Sequence, residues 1–288
     1  MNKQKVVVIF NPAARGDKAR SIESTLRSIA RGADLWPTEA PGQGVRLAQE
    51  ASAQGYQVVV AAGGDGTVNE VVNGIAAHPV MLGILPIGTM NVFAYELGLP
   101  LKRIRKCWEV IQAGNVAEID LARANGRYFV QLAGVGLDAQ AVAATDINMR
   151  RTIGPLSYVL AAAQVMSHPP PRLQITGLAG RHFEASFALI GNGRHYGGPF
   201  CLFTQAHNRD GLLDLLVFRN LGYLDMFRYL QGLLLGKPEQ LPDVEYLQVP
   251  AVSVTSDRDT PVEVDGEVLM RTPVHFELAP ARLRVLVP

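Results

Sequence analysis

Residues 62–70, AGGDGTVNE, join an apolar run to a helical pattern through two adjacent glycines and a carboxylate. Glycines at such a junction let the backbone turn sharply and let a ligand come close to its N–H groups. Val68, Val71, Val72 and Ile75 fall at i, i+3, i+4 and i+7, so the spacing predicts a helix from near Thr67 with that face packed inward. A helix N-terminus after a parallel strand is a natural phosphate site, because its unpaired N–H groups and its dipole both favour an anion. The loop is not of the Walker type, since no lysine follows and the glycine spacing differs. Phosphate charge would then be offset by Mg²⁺ and by other basic groups. Asp65 becomes intelligible as the residue that holds the cation, directly or through water. The competing reading is a tight strand-to-helix turn capped by Asp65 or Thr67.

A second loop, ILPIGTMNVFA, repeats this logic with Gly88 and Thr89 between an apolar strand and a helix. A third, VIFNPAARGDKAR, closes the first strand with Asn11 and Pro12 and carries Arg15 and Lys18. Loops at the carboxyl ends of parallel strands should converge on one crevice. Later in the chain, VDGE sets Glu267 behind an Asp265-Gly266 turn, and RDGLLDL offers Asp210 and Asp214. Taken singly, VDGE reads better as an ordinary hairpin turn with solvated acids, and RDGLLDL reads equally well as a plain turn.

The elements that must position these residues follow from the apolar pattern. KVVVIF, ADLWPT, YQVVVAA and MLGILPIG read as strands, alternating with helical stretches at DKARSIESTLRSIA, GVRLAQEASAQG, VNEVVNGIAA, NVFAYELGL and LKRIRKCWEVIQAG. Near-continuous Val/Ile runs between helices indicate a parallel sheet covered on both faces. After about Gly114 the pattern changes. Asn125-Gly126 has the form of a two-residue hairpin turn, a helical insertion is expected over about 137–167, and mostly strand-like runs follow. One helix, LGYLDMFRYLQGLLLGK, interrupts them. The expected architecture is an N-terminal α/β domain, residues 1–122, and a β-rich antiparallel domain, residues 123–288, with the last strand returning to the first domain.

The 288 residues are ample for a buried core, and a charged fraction of 18% against 48% hydrophobic excludes a disordered chain. A formal net charge of +1 gives no global pull towards nucleic acid or an anionic membrane. Two distant cysteines, Cys107 and Cys201, imply neither a disulfide framework nor a metal cluster and fit a reducing compartment. No stretch reads as a signal peptide or a membrane span. A cytoplasmic, soluble protein is expected.

The set NPAARG, GGDGTVNEV, LPIGTMNVFA, GVGLDA, IGNGRHYGG, RDGLLDL and VEVDGE, in that order, resembles the diacylglycerol kinase catalytic-domain superfamily in its bacterial soluble lipid-kinase branch. GGDGT alone would be shared with NAD kinases; the continuation VNEV and the late DGLLDL and DGE favour lipid kinases. The resemblance implies an NAD kinase-like α/β domain followed by an antiparallel β-sandwich, with ATP as co-substrate bound between them. Around the nucleotide it places Asn11, Pro12, Ala13, Ala14, Arg15, Thr38, Gly64, Asp65, Gly66, Thr67, Val68, Asn69, Glu70 and Thr89. It implies Glu267 as catalytic base and Asp65 as the residue working with Mg²⁺. It also implies a structural Mg²⁺ site at Asp210 and the backbone carbonyls of His207 and Leu212, supported by Asp214. Val92 stands where many members carry aspartate, and Ala14-Arg15 where many carry Ser-Gly.

The implied acceptor is a diacylglycerol-like lipid met at a membrane surface. VLAAAQVM and MFRYLQGLLL are apolar enough to line its slot, although both also read as core helices. Arg150, Arg151 and the run Lys102–Lys106 could meet anionic headgroups, and His195 and Tyr196 could line the acceptor pocket. A sphingoid base, a glycolipid or a soluble alcohol are alternative acceptors, and an inactive nucleotide- or lipid-binding protein is the alternative from another class. A homodimer is compatible with the resemblance.

Overall fold

The computed structural model describes residues 4–12, 19–136, 139, 170–178, 180–198, 200–220 and 222–288. The chain forms two compact units, Met1–Leu121 with Pro280–Pro288, and Ala122–Ala279.

In the first unit, Val6–Phe10 (β1), Asp34–Pro37 (β2), Val58–Gly63 (β3) and Met81–Pro86 (β4) pair in parallel in the order β2-β1-β3-β4. The chain's last strand, Leu283–Leu286, continues the sheet, parallel to β4 and antiparallel to Val116–Ile119 (β5). β3 and β4 are buried along their whole length, which is why their sequences run apolar without alternation. The connecting helices are Ala19–Ile29 (α1), Gln43–Ala53 (α2), Asp65–Ile75 (α3), Val92–Glu96 (α4) and Ile104–Ala113 (α5). α3 buries Val68, Val71, Val72 and Ile75, the expected face. It starts two residues before Thr67, because the Gly64 carbonyl already accepts the Val68 N–H at 3.1 Å. α2 and α3 pack closely at Gly74, where a Cβ would lie 2.5 Å from the Ala48 Cβ. Lys102, Arg103, Arg105 and Lys106 are exposed at the start of α5.

The second unit has two six-stranded sheets, and its elements in chain order are Ala122–Ala124 (β6), Arg127–Phe129 (β7), Leu132–Val135 (β8), Leu173–Leu178 (β9), Arg181–Ala185 (β10), Phe187–Gly191 (β11), His195–Tyr196 (β12) and Phe200–Cys201 (β13). Leu213–Phe218 (β14), the helix Tyr223–Leu234 (α6), Val244–Val249 (β15), Ala251–Ser256 (β16), Pro261–Val264 (β17), Glu267–Arg271 (β18) and Val274–Leu278 (β19) complete it. One sheet has the order β10-β9-β16-β19-β6-β7 and the other β15-β14-β11-β8-β17-β18; β12 and β13 form a separate ribbon. Two runs that read as single strands are each cut in two. RHFEASFALIGNG breaks at Ser186 and YLQVPAVSVTS at Pro250, so that β10 and β16 lie in one sheet while β11 and β15 lie in the other. Pro250 has no N–H to give a ladder, and Ser186, fully buried, gives both its N–H and its hydroxyl to the Phe218 carbonyl. These are sandwich corners, where the chain changes sheet.

Both sheets share one apolar core, including Phe129, Ile175, Ile190, Leu215, Val252, Val262 and Phe276. The opposite face of the β14 sheet is also covered, by a second cluster in which Phe187 stacks on Phe218 at 3.9 Å and the buried Tyr229 of α6 packs edge-on to both. With apolar layers on each side, β14 has no polar alternation. α6 is thus partly a core helix, although Leu224 and Phe227 face outwards. VLAAAQVM, Arg150 and Arg151 lie outside the described residues. Asn125 and Gly126 take φ of 45° and 86°, the two left-handed positions of the tight hairpin turn between β6 and β7.

Candidate active site

In the first unit the glycine loops after β3 and β4 touch. A Cβ on Gly88 would lie 2.4 Å from Gly64 Cα and 3.0 Å from Gly64 N, while one on Gly63 would lie 2.3 Å from Thr67 Oγ1. Each glycine therefore has its own reason: Gly63 makes room for Thr67, and Gly64 and Gly88 make room for each other. Ile87 and Gly88 donate their N–H groups to the Gly63 carbonyl at 2.9 and 3.1 Å, which fixes the two loops together. Asp65, Gly66 and Thr67 occupy the first turn of α3, ahead of its first intrahelical bond, with their N–H groups at the positive end of the helix. Asp65 is half-buried there, and its Oδ1 lies 3.5 Å from the Phe93 N–H at the start of α4. Thr67, Val68 and Asn69 are buried; Thr89 is exposed.

Asn11 ends β1 and donates its N–H to Ala62 at 3.2 Å, and Thr38 donates its N–H to the Phe10 carbonyl at 2.8 Å. Asn11 is thus tied to β3 itself, and Thr38 to the end of β1, the neighbour of β3. Pro12 follows; Ala13, Ala14 and Arg15 lie outside the described residues. Glu70 has a definite structural partner. Its Oε1 accepts the Gly42 N–H at 2.8 Å and its Oε2 the Gly44 N–H at 2.7 Å, so it caps α2 across 26–28 residues of sequence. Asn91, which sequence reasoning did not select, is buried in the left-handed region at φ 50° and donates Nδ2–H to the Gly88 carbonyl at 2.7 Å. Its signal in the sequence is only an asparagine placed just before a helix.

In the second unit, Glu267 is exposed at the first position of β18, directly after the two-residue turn Asp265-Gly266, with φ of 48° and 86°. Across the unit, Asp210 is exposed in the turn before β14, and its Oδ1 accepts the Leu212 N–H at 3.0 Å. The His207 carbonyl accepts from Arg209 and Asp210. Asp214, in β14 itself, is 1% exposed. Its Oδ1 accepts from Tyr246 at 2.6 Å and Gln248 at 3.2 Å, whereas its Oδ2 is buried with no hydrogen-bond partner among the described residues. Burial pushes the Asp214 carboxyl above its ordinary value, the two donors pull it back, and the charge of Asp210 adds to the rise. The groups that the resemblance assigns here, the Asp210 carboxylate and the carbonyls of His207 and Leu212, are all oxygens, which suits Mg²⁺ and not a thiolate-loving metal. The buried Asp214 Oδ2 that lacks a hydrogen bond among the described residues, on the strand that follows, fits the same demand. Among the described residues there is no cluster of three or more His, Cys, Asp or Glu side chains that could hold a metal ion, the Asp210 turn included. His195 and Tyr196, in β12, are half-buried, and the His195 carbonyl accepts from Gln131 at 2.9 Å.

Two family models match the chain one after the other. Residues 5–124 match the family described as the diacylglycerol kinase catalytic domain, and residues 131–287 match the YegS C-terminal NAD kinase beta sandwich-like domain. A protein of Chromohalobacter salexigens named "Probable lipid kinase YegS-like" is 35% identical over 98% of this chain and 92% of its own length. A "Diacylglycerol kinase" of Staphylococcus saprophyticus is 28% identical over 99% and 96%. A solved diacylglycerol kinase structure from Bacillus anthracis superposes with a TM-score of 0.79 at 25% identity, covering 100% of this chain and 98% of that one. The glycine loops, the sandwich and these matches together establish that the chain belongs to the diacylglycerol kinase catalytic-domain superfamily, in its bacterial lipid-kinase branch, whose members are phosphotransferases with an alcohol as acceptor.

Proposed function

We propose that the protein transfers the γ-phosphoryl group of ATP, with Mg²⁺, to the hydroxyl of a diacylglycerol-like lipid. The observation that carries this reading is the contact of the Gly64 and Gly88 loops at the carboxyl ends of adjacent parallel strands. It sets a side-chain-free surface against the N-terminus of α3, where phosphate oxygens can approach backbone N–H groups. The names of the relatives support a lipid acceptor.

Phosphoryl transfer asks for alignment, charge neutralisation and a group that takes the hydroxyl proton. Asp65 would hold the reacting cation, and Asp210 with the carbonyls of His207 and Leu212 would hold a structural one, supported by Asp214. Magnesium, when bound, supplies the positive charge that this loop lacks for want of a lysine. The N–H groups of Asp65, Gly66 and Thr67 bind phosphate oxygens, and Asn11 and Thr38 border the nucleotide. Glu267, exposed at the tip of its hairpin, accepts the proton of the attacking hydroxyl.

The test is transfer of labelled γ-phosphate from ATP to diacylglycerol in vesicles and to a total lipid extract, with Mg²⁺ and with a chelator. A labelled lipid formed only with Mg²⁺ and lost in Glu267→Ala is the expected result. Binding of ATP without label in any lipid would refute the proposal.

A further inference from the structure

Residues 130–132, VQL, lead from β7 into β8, and two separate turns are fastened to this short crossing. On its N–H side is Asp265. Its Oδ2 accepts the Val130 N–H at 3.0 Å, and its Oδ1 accepts the Gln131 and Leu132 N–H groups at 3.0 and 3.2 Å. On its carbonyl side is the IGNGRHYGG segment. Val130 accepts Asn192 Nδ2–H at 3.0 Å, and Gln131 accepts the N–H groups of Asn192 and Gly193 at 2.9 and 3.3 Å. Successive N–H groups converging on one carboxylate make strong, directional, charge-assisted bonds. The turn is gripped from within as well: Glu263, 1% exposed, accepts the Gly266 N–H at 2.8 Å, and Asp265 donates its own N–H to the Leu132 carbonyl at 2.8 Å.

An Asp-Gly hairpin turn forms without any such anchoring, because Asp and Gly suit its two left-handed positions. Three backbone donors spent on Asp265 therefore do more than close the turn. They fix the direction in which the hairpin tip points, and the residue leaving that tip is Glu267.

We propose that Asp265 is a positioning residue for the reaction, acting through Glu267: its carboxylate ties the hairpin tip to the 130–132 crossing and so holds the Glu267 carboxylate in its reactive direction. The inference rests on Glu267 being the base of the proposed kinase reaction. Glu263 is the second clamp, acting on Gly266.

The experiment uses the full chain, Mg·ATP and diacylglycerol vesicles, with Glu267→Ala, Asp265→Asn and Asp265→Glu. In Asp265→Asn one oxygen becomes an N–H₂ group facing a backbone donor. The expected result is a loss in kcat of about 100-fold with KM for ATP unchanged within about twofold, since misaiming by about 1 Å costs chemistry and not nucleotide binding. Faster hydrogen exchange at the amides of 130–132 accompanies it. Asp265→Glu keeps the charge but lengthens the clamp, and shows the same split should the asparagine variant fail to fold. A kcat within threefold of wild type in a variant with loosened amides would overturn the proposal, as would a KM for ATP rising in step with the loss of kcat. Wild-type turnover by Glu267→Ala would instead sink the assignment of the base, a failure separate from that of the clamp.

Discussion

Replacing Gly88 by alanine tests the phosphate surface at its tightest point. Gly88 does not occupy the left-handed region, so alanine is acceptable to its backbone and the effect is one of space alone. The new Cβ would stand 2.4 Å from Gly64 Cα and 2.9 Å from Asn91 Oδ1, where ordinary contact begins at 3.4 Å. The nearest obstructing atoms are Gly64 backbone, held to the Gly88 loop through the Gly63 carbonyl, and the Asn91 side chain beside them is itself held by its bond to the Gly88 carbonyl at 2.7 Å. The loops must part by about 1 Å, at an overpacking cost of about 1–3 kcal/mol. A misplacement of that size at a reacting group is worth about 100-fold in rate. We expect Gly88→Ala to melt at a lower temperature and to lose about 100-fold in kcat/KM for ATP, read from initial rates of label transfer to diacylglycerol. Gly55→Ala is the control. Its φ is +77° with nothing within 4 Å of the added Cβ, so it pays backbone strain of about 1 kcal/mol and should leave the nucleotide kinetics unchanged. Wild-type kinetics and melting for Gly88→Ala, or an equal loss of kcat/KM in Gly55→Ala, would refute the reasoning.

Glu70→Ala should destabilise the first unit by about 1–2 kcal/mol, because the N–H groups of Gly42 and Gly44 lose their acceptor at the start of α2; an unchanged denaturant midpoint would count against the cap. Asp214 has a folded-state carboxyl raised above its ordinary 3.8, chiefly by burial, so the folded chain keeps that proton to higher pH than the unfolded one. Its contribution to stability is therefore fully present below 3.8 and is lost as pH rises through the folded-state value. The stability of wild type relative to Asp214→Asn should fall from acid to neutral pH in the absence of metal, and a pH-independent difference would contradict this sign. The Cys107 thiol, fully buried and pushed up to about 11 by burial, should resist alkylation at neutral pH until the protein is unfolded. Rapid labelling of that residue in the native state would show the burial to be wrong.

What could be read in the sequence was whatever a few neighbouring residues decide between themselves. The apolar runs of β1, β3 and β4 announce a sheet covered on both sides, and Asn125-Gly126 and Asp265-Gly266 announce tight hairpins, because each constraint is met within its own stretch. The breaks at Ser186 and Pro250 escaped notice for the opposite reason. At Ser186 the alternating β10 gives way to the wholly buried β11, a change that reads equally as one strand passing under a covering layer, and at Pro250 the runs on both sides stay strand-like. The candidate site divides in the same way. That Gly64 and Gly88 must be glycine was legible as a turn signal, but that each exists to admit the other depends on the parallel pairing of β3 with β4. Glu70 was read as a ligand-loop residue, and its carboxylate meets the start of α2, 26 residues earlier in the chain. Asp265 looked like a turn former, and its oxygens reach backbone 133–135 residues away. A carboxylate bound to backbone N–H groups can take any sequence as its partner, since every residue but proline offers the same donor. Such a contact therefore leaves no pattern at the receiving end. The acids of this chain had to be sorted by what they touch: the oxygens of Glu263 and Asp265 hold the hairpin that carries the exposed Glu267.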